Sequence, residues 1–279
     1  MSDFAERTRT VFVVVDPAQD RPLALERILN LARGQSNSDR DEAEKGGRLH
    51  VFVAVDCDNT DTNANNPAMH RNGRWFLENI VEPLEASGLR FHLEMSWSSD
   101  WYGAIIQRSK ELKASLIMLP LLSNPSEAAR LFNESIWRLM RTAECPVIVV
   151  RPAAQTERSI ILAAINLQSH KPEYQRLNDV IITSSQWIAR TYGSELHFVN
   201  AYSDSLNYPD RTQLATRTGV DTAHIHVLSG DADDVIAKTA KEIGATVVVI
   251  GTRNRSSRWR GNTAERIITK VECDILAIN

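Results

Sequence analysis

Short apolar runs alternate with segments of helical periodicity along the whole chain. The runs are rich in Val, Ile and Leu at consecutive positions, which is typical of strands buried on both faces of a parallel sheet. Five strands are predicted in each half: Thr10–Asp16, Leu49–Asp56, Leu89–Trp97, Leu116–Leu121 and Pro146–Arg151, then Ser159–Asn166, Glu195–Tyr202, His224–Ser229, Ala245–Gly251 and Asp274–Asn279. Strands separated by helices indicate an α/β fold of the doubly wound type.

Two of the intervening helices have clear ends. The helix predicted at Leu23–Ala32 begins just after Pro22, which suits a first-turn proline, and its pattern ends at Gly34. The helix predicted at Glu173–Tyr192 ends at Gly193. Its apolar spacing predicts one buried stripe, formed by Leu177, Val180, Ile181, Ser184, Trp187 and Ile188.

The second half repeats the first in register. Ile105 and Ile236 match at an offset of 131 residues, whereas Cys145 and Cys273 match at an offset of 128. The second copy has therefore lost three residues, or the first copy has gained three, in the loop between the fourth strand and the last helix. Ligands of open α/β sheets bind beyond the carboxyl ends of the strands, so this loop is the predicted functional region.

Length and composition favour two ordinary globular domains. The 279 residues suit two domains, predicted at 1–153 and 154–279, each large enough to bury a core. A net charge of −3 argues against nucleic acid or an acidic membrane surface as partner. No apolar run approaches the length of about 18 residues that a membrane span needs, and the first residues do not resemble a signal peptide. A cytoplasmic protein with free thiols is expected.

The chain shows no motif of nucleophilic or metal-dependent catalysis. It has no Gly-x-Ser-x-Gly, no Walker loop and no His-Glu-x-x-His, so no catalytic residue is predicted and an enzyme is the least favoured class. His224 and His226 alternate along a strand near Asp221, but no third ligand can be identified, and no metal site is predicted.

Three carboxylates open a predicted helix in the second half. Asp231, Asp233 and Asp234 could suggest a cluster of catalytic acids. Their place in the first helical turn favours helix capping and interaction with the helix dipole instead.

Several segments resemble the universal stress protein family. In the second half these are Ile-Ile-Leu-Ala-Ala-Ile-Asn, Gly-Asp-Ala-Asp-Asp-Val-Ile-Ala-Lys-Thr-Ala, Val-Val-Val-Ile-Gly-Thr-Arg-Asn and Gly-Asn-Thr-Ala-Glu-Arg-Ile-Ile. The first half resembles the family more faintly, through Phe-Val-Val-Val-Asp-Pro, Trp-Tyr-Gly-Ala-Ile-Ile-Gln and Cys-Pro-Val-Ile-Val-Val-Arg-Pro. The resemblance implies two tandem Rossmann-like domains, each with a five-stranded parallel sheet, packed as a pseudo-dimer through their fifth strands.

By this resemblance, nucleotide-binding members hold ATP between an Asp that ends the first strand and a loop of the form Gly-x-x-Gly, nine residues, Gly-Ser/Thr. The glycines let backbone N–H groups approach phosphate oxygens, and the last one opens a helix whose positive end faces the anion. The first half keeps Asp16, but the glycine positions fall on Pro120, Ser123 and Asn133. Because Pro120 lacks an N–H donor, the first-half site is interpreted as degenerate for ATP.

The second half keeps a different part of this device. Asn166 replaces the first-strand Asp, Asn254 replaces the second glycine, and only six residues separate Asn254 from Gly261. Four of eight consecutive residues in this loop are arginines: Arg253, Arg255, Arg258 and Arg260. They could attract phosphate, or they could simply be solvated. The candidate nucleotide- or anion-binding residues are Asn166, Gly251, Arg253, Asn254, Gly261, Asn262 and Thr263.

Three functional hypotheses follow. The first is a non-enzymatic regulatory stress protein that binds an unidentified regulatory protein or small ligand and does not bind ATP in the ordinary way. The alternative is a switch that binds ATP, AMP or another anion in the second half. Slow ATP hydrolysis is a third hypothesis, which requires nucleotide binding first. Pairing of two such chains as a homodimer is left open.

Overall fold

Two units divide the chain, Met1–Pro152 and Ala153–Asn279. The structure, a computed structural model, describes residues 10–34, 48–58, 73–121, 136–152, 154–155, 157–204, 206, 208–252 and 263–279. None of the helices within these ranges is both long and apolar enough to cross a membrane.

The first unit is a parallel sheet with strand order β3-β2-β1-β4-β5. Its elements in chain order are β1 Thr10–Val15, α1 Leu23–Gly34, β2 Arg48–Asp56, α2 73–87, β3 Phe91–Ser98, α3 Trp101–Glu111, β4 Leu116–Pro120, α4 136–142 and β5 Val147–Val150. The strand order reverses between β1 and β4, which is the point where open α/β sheets leave a crevice at their carboxyl edge.

The second unit repeats this topology with strand order β8-β7-β6-β9-β10. Its elements are β6 Ile160–Ala164, α5 Pro172–Tyr192, β7 Glu195–Tyr202, α6 Arg211–Thr218, a 3₁₀ turn Thr222–His224, β8 Ile225–Ser229, α7 Ala232–Glu242, β9 Val247–Gly251, α8 Thr263–Lys270 and β10 Asp274–Ile278. The corresponding switch point lies between β6 and β9.

The inner strands of both units are buried on both faces, as the apolar runs predicted. Val13, Val51 and Val149 have no exposed surface in the first unit, and neither have Val248 and Val249 in the second. Each of the ten predicted strands is found, with ends that differ by at most two residues. The prediction of two α/β domains with five-stranded parallel sheets is confirmed.

The predicted buried stripe of α5 is wrong in part. Val180 and Trp187 are 40% and 42% exposed, respectively. The helix instead turns a face with two polar residues toward the interior: Asn178, Ile181, Ile182, Ser185 and Ala189. Apolar spacing alone misplaced this face, because the Asn178 amide is buried where backbone groups need hydrogen-bond partners.

Candidate functional site

The carboxyl edge between β6 and β9 brings together the described part of the predicted nucleotide site. Asn166 follows β6, and Gly251 ends the neighbouring parallel strand β9. The side chain of Thr263, which begins α8, and all of the other predicted site residues lie outside the described residues: Arg253, Asn254, Gly261 and Asn262. The two described positions meet at the topological switch point, where a ligand is expected to bind.

A buried amide holds the backbone at Asn166. The Asn166 N–H donates to Asn178 Oδ1 at 3.1 Å, and Asn178 Nδ2 donates to the Asn166 carbonyl at 2.7 Å. Asn178 projects from α5 and is only 3% exposed. Both the N–H and the carbonyl of Asn166 are therefore hydrogen-bonded within the protein. Asn166 itself is an exposed residue.

Further amides fix the loop that follows. Asn200 on β7 accepts a hydrogen bond from the Leu167 N–H at 2.9 Å and donates to Gln168 Oε1 at 3.0 Å. Gln168 Nε2 in turn donates to the Ala201 carbonyl at 2.9 Å. We call Asn178, Asn200 and Gln168 the amide network. Its members are neutral. Asn200 bonds to Gln168, and Asn178 bonds to the backbone of Asn166, so this backbone is held by uncharged amides.

Gly251 is required by the packing of α5. A Cβ atom at this position would lie 2.6 Å from Leu177 Cδ2 and 3.1 Å from Ile181 Cδ1. The first distance would force the Leu177 side chain to move and the second is tight, so a glycine lets the helix approach the end of β9 without this rearrangement. Close helix packing thus explains this glycine without any phosphate.

The first unit places a carboxylate at the equivalent edge. Asp16 Oδ1 accepts from the Ala18 N–H at 2.9 Å, and Oδ2 accepts from Gln19 Nε2 at 3.3 Å. Burial raises the pKa of the Asp16 carboxyl above its ordinary value, and the nearby Asp56 carboxylate raises it further. Pro120 ends β4 beside this edge, while Ser123 and Asn133 lie outside the described residues. Two neighbouring carboxylates and a missing N–H donor are unfavourable to phosphate.

Only one of the three acids predicted to cap α7 is buried. Asp231 occupies the N-cap position but makes no side-chain capping bond. Asp233 has a side chain that is 3% exposed and forms ion pairs with two residues of α8, Arg266 at 2.9 Å and Lys270 at 2.6 Å. Contact with the Arg266 guanidinium, followed by Lys270, lowers the pKa of Asp233 to about 2. The capping interpretation of Asp231 is therefore wrong, and Asp233 ties two helices together.

The sequence revealed only two members of a group of neighbouring histidines, His224 and His226. His197 on β7 lies next to His224 and His226, and Glu195 contacts both His197 and His224. Burial is the main cause that lowers the pKa of His226, so its imidazole is neutral at pH 7. The third and fourth members could not be found from the sequence, because they join the pair only through the register between β7 and β8.

Known proteins resemble this chain in both sequence and structure. A model of the universal stress protein family matches residues 194–279. Universal stress protein E of Photorhabdus laumondii is 24% identical over 97% of this chain and 94% of its own length. The corresponding protein of Escherichia coli strain K12 is 26% identical over 97% and 93%.

Solved structures show the same fold over the whole chain. A functionally unknown protein from Pseudomonas aeruginosa PAO1 is 23% identical, covers 100% of this chain and 94% of its own, and has a TM-score of 0.74. A universal stress protein from Archaeoglobus fulgidus is 16% identical and covers 97% and 96%, with a TM-score of 0.67.

The topology and the switch-point edges define a tandem Rossmann-like α/β protein. The second half fits the universal stress protein family model over residues 194–279, and the chain is similar along almost its whole length to universal stress protein E.

Proposed function

We propose that this chain is a non-catalytic regulatory protein of the stress response, acting in the cytoplasm through contacts with a partner and without ordinary ATP binding. The observation that carries the proposal is the amide network at the carboxyl edge between β6 and β9. There the protein satisfies its own backbone groups, at the position where the family resemblance implies a nucleotide.

A nucleotide would meet competition at this edge. The main-chain N–H and carbonyl of Asn166 are already bonded to Asn178, which is buried and cannot turn to water. The side chain of Asn166 is exposed and neutral, where the family resemblance implies a carboxylate. A buried hydrogen bond that is broken without replacement costs about 1–3 kcal/mol, which a weakly held nucleotide would have to offset.

The glycine of the site supports the same conclusion. Gly251 matches the first glycine of the family's phosphate loop, but Leu177 and Ile181 of α5 already account for it. The presence of this glycine is therefore no argument for phosphate binding.

Thermal unfolding of the full chain with ATP, ADP and AMP tests the proposal. A ligand with a Kd of about 0.5 mM, present at about 5 mM, would stabilise the native state by about 1.4 kcal/mol. For a protein of this size such a gain raises Tm by roughly 3–5 °C. We expect no shift above 1 °C (about 0.3 kcal/mol) for any of the three nucleotides, and no heat in a calorimetric titration. A reproducible shift of several degrees would overturn the proposal.

The alternative switch rests on the four arginines of the loop at 253–260. Their charges would attract phosphate near the start of α8, whose helix dipole also favours an anion. Gly261→Glu places a carboxylate at this point and is the informative variant. Nucleotide binding by the wild type that is lost in Gly261→Glu would establish the switch, and phosphate release that persists unchanged in the variant would identify a contaminating ATPase.

A further inference from the structure

Strand β3 forms one edge of the first unit's sheet. Among the described strands its one neighbour is β2, which pairs with it from Leu49 and Phe91 to Asp56 and Ser98. The strand is eight residues long and contains no proline, lysine or arginine. Proteins commonly protect an edge with a short strand, a proline or a lysine, because its outer N–H and carbonyl groups can pair with another strand. β3 has none of these three protections.

The hydrogen bonds to β2 show which backbone groups of β3 point outward. The Leu49 N–H donates to the Arg90 carbonyl at 2.9 Å, and the Cys57 N–H donates to the Ser98 carbonyl at 3.4 Å. Backbone groups of successive residues point to opposite sides of a strand, so the even-numbered residues of β3 face β2. The N–H and carbonyl groups of the odd-numbered residues therefore point away from the sheet: Phe91, Leu93, Met95 and Trp97.

The same four residues present their side chains on one face of β3, because side chains alternate along a strand. Phe91, Met95 and Trp97 are 37%, 46% and 49% exposed, respectively. Glu94 projects from the opposite face, where it contacts Arg108 of α3. Exposed large apolar side chains beside outward backbone groups are typical of a surface that receives another strand.

The corresponding edge of the second unit, β8, is built differently. β8 has only five residues, Ile225–Ser229, and directly follows the 3₁₀ turn Thr222–His224. The helix that precedes this edge, α6, packs against β8, whereas α2, which precedes β3, packs against α1. A shorter strand with a helix against it is a poor template for pairing. Pairing is therefore expected at β3 rather than at β8.

Two copies of β3 complement each other when they run antiparallel about Leu93. In this register Phe91 lies opposite Met95 of the second copy, and His92 lies opposite Glu94, whose carboxylate can accept from an imidazole N–H. The outward groups of the odd-numbered residues then meet one another, as hydrogen-bonded pairs require. A register centred on Glu94 would place two carboxylates opposite each other, and one centred on Met95 would give Glu94 no imidazole partner.

We propose that two copies of this chain associate through antiparallel pairing of β3 centred on Leu93, which joins the sheets of their first units. Backbone hydrogen bonds of the odd-numbered residues hold the two strands together. Phe91 packs against Met95 of the second copy on the exposed face, a favourable contact between an aromatic ring and sulfur. The contact is one strand wide, so the dimer is reversible and its population rises with protein concentration.

Analytical ultracentrifugation of the full chain between about 5 and 200 µM measures this association. We expect a monomer–dimer equilibrium that Leu93→Pro weakens about tenfold or more. Proline suits this position because the Leu93 N–H points away from β2, and circular dichroism checks that the variant is folded. Met95→Lys, a change at a partly exposed side chain, should weaken the dimer in the same way. Leu228→Lys, the matched change on β8, should leave the dimer intact.

A cysteine at the centre of the pairing tests the register. The Cα atoms of a hydrogen-bonded antiparallel pair lie about 5.5 Å apart, which a disulfide can span. Leu93→Cys, in a Cys57→Ser background that removes the exposed native thiol, should therefore form a covalent dimer with oxidised glutathione. Ser96→Cys in the same background is the control, because its two copies would lie six positions apart, about 20 Å.

Several results would overturn the proposal. One is a chain that stays monomeric at about 200 µM, which would leave the exposed face of β3 to a different partner. Another is a dimer that Leu93→Pro and Met95→Lys both leave unchanged. The third is a dimer that crosslinks through Ser96→Cys, or that does not crosslink through Leu93→Cys.

Discussion

The ion pairs of Asp233 offer a sharp test of how the second unit is stabilised. Asp233 is buried at the start of α7 and contacts Arg266 and Lys270 of α8. Asp233→Asn keeps the shape of the side chain and removes its charge. Asp234→Asn is the matched control. The Asp234 carboxylate also contacts Lys270, at 2.5 Å, but the Asp234 side chain is 67% exposed.

The magnitude follows from the pKa of Asp233. The folded protein lowers this pKa from 3.8 to about 2. Each pKa unit corresponds to about 1.4 kcal/mol, so the charged form stabilises the fold by about 2 kcal/mol at pH 7. Asp233→Asn should lose about this amount, whereas Asp234→Asn should lose no more than about 0.5 kcal/mol, since exposed ion pairs contribute little.

The loss should also depend on pH in a defined direction. A lowered carboxyl pKa stabilises the native state above the unfolded pKa, and this stabilisation disappears as pH falls through the folded pKa. The difference between wild type and Asp233→Asn should therefore be constant above about pH 5, fall to about half at pH 3, and nearly vanish at about pH 2.

Urea unfolding followed by circular dichroism measures the free energy of unfolding between pH 3 and pH 7. Hydrogen exchange of peptides from α7 and α8 reports on the second unit alone. Equal losses in Asp233→Asn and Asp234→Asn would refute the reasoning, as would a loss in Asp233→Asn that is the same at pH 3 and pH 7.

Three further predictions concern packing, the amide network and the thiols. Gly251→Ala should destabilise the second unit by about 1–3 kcal/mol in urea unfolding, because the new Cβ meets Leu177. Leu177→Ala should recover part of that loss in the double variant. Free-energy losses of the two single variants that simply add in the double variant would contradict this. Asn178→Ala should cost about 2 kcal/mol or more and increase hydrogen exchange at residues 165–169, and unchanged exchange there would refute the role of the network. At pH 8, iodoacetamide should modify exposed Cys57 before Cys145, whose pKa burial raises to about 12, and mass spectrometry showing equal rates would disprove the difference.

Strand positions could be predicted because burial on both faces leaves a local record in the sequence. The runs around Val13 and Val248 are apolar at every position, and their ends coincide with polar residues or glycine. Some helix ends also leave a local record in the sequence. The helix α5 ends at Gly193, whose positive φ of 62° favours glycine. These features depend on neighbouring residues only, so no knowledge of distant contacts was needed.

The site could not be predicted to the same extent, because it depends on contacts between distant residues. Asn178 is buried to serve the backbone of Asn166, twelve residues earlier, and apolar spacing gives no sign of that demand. His197 and His224 meet only through the register of β7 and β8, which the sequence does not state. Asn200, a polar residue in a strand predicted to be buried, was an indication of the site in the sequence. A buried polar residue needs hydrogen-bond partners.

The two copies differ in charge at equivalent positions, and this limits what each edge can bind. The first unit carries the Asp16 carboxylate beside Asp56, which repels phosphate, whereas the second has the neutral Asn166 with its backbone bonded to Asn178. In the neutral amide network each donor already has an acceptor within the protein, so a ligand must replace existing bonds rather than complete missing ones. The two edges thus disfavour an anion for different reasons, which are two neighbouring carboxylates in the first unit and hydrogen bonds that are already made in the second.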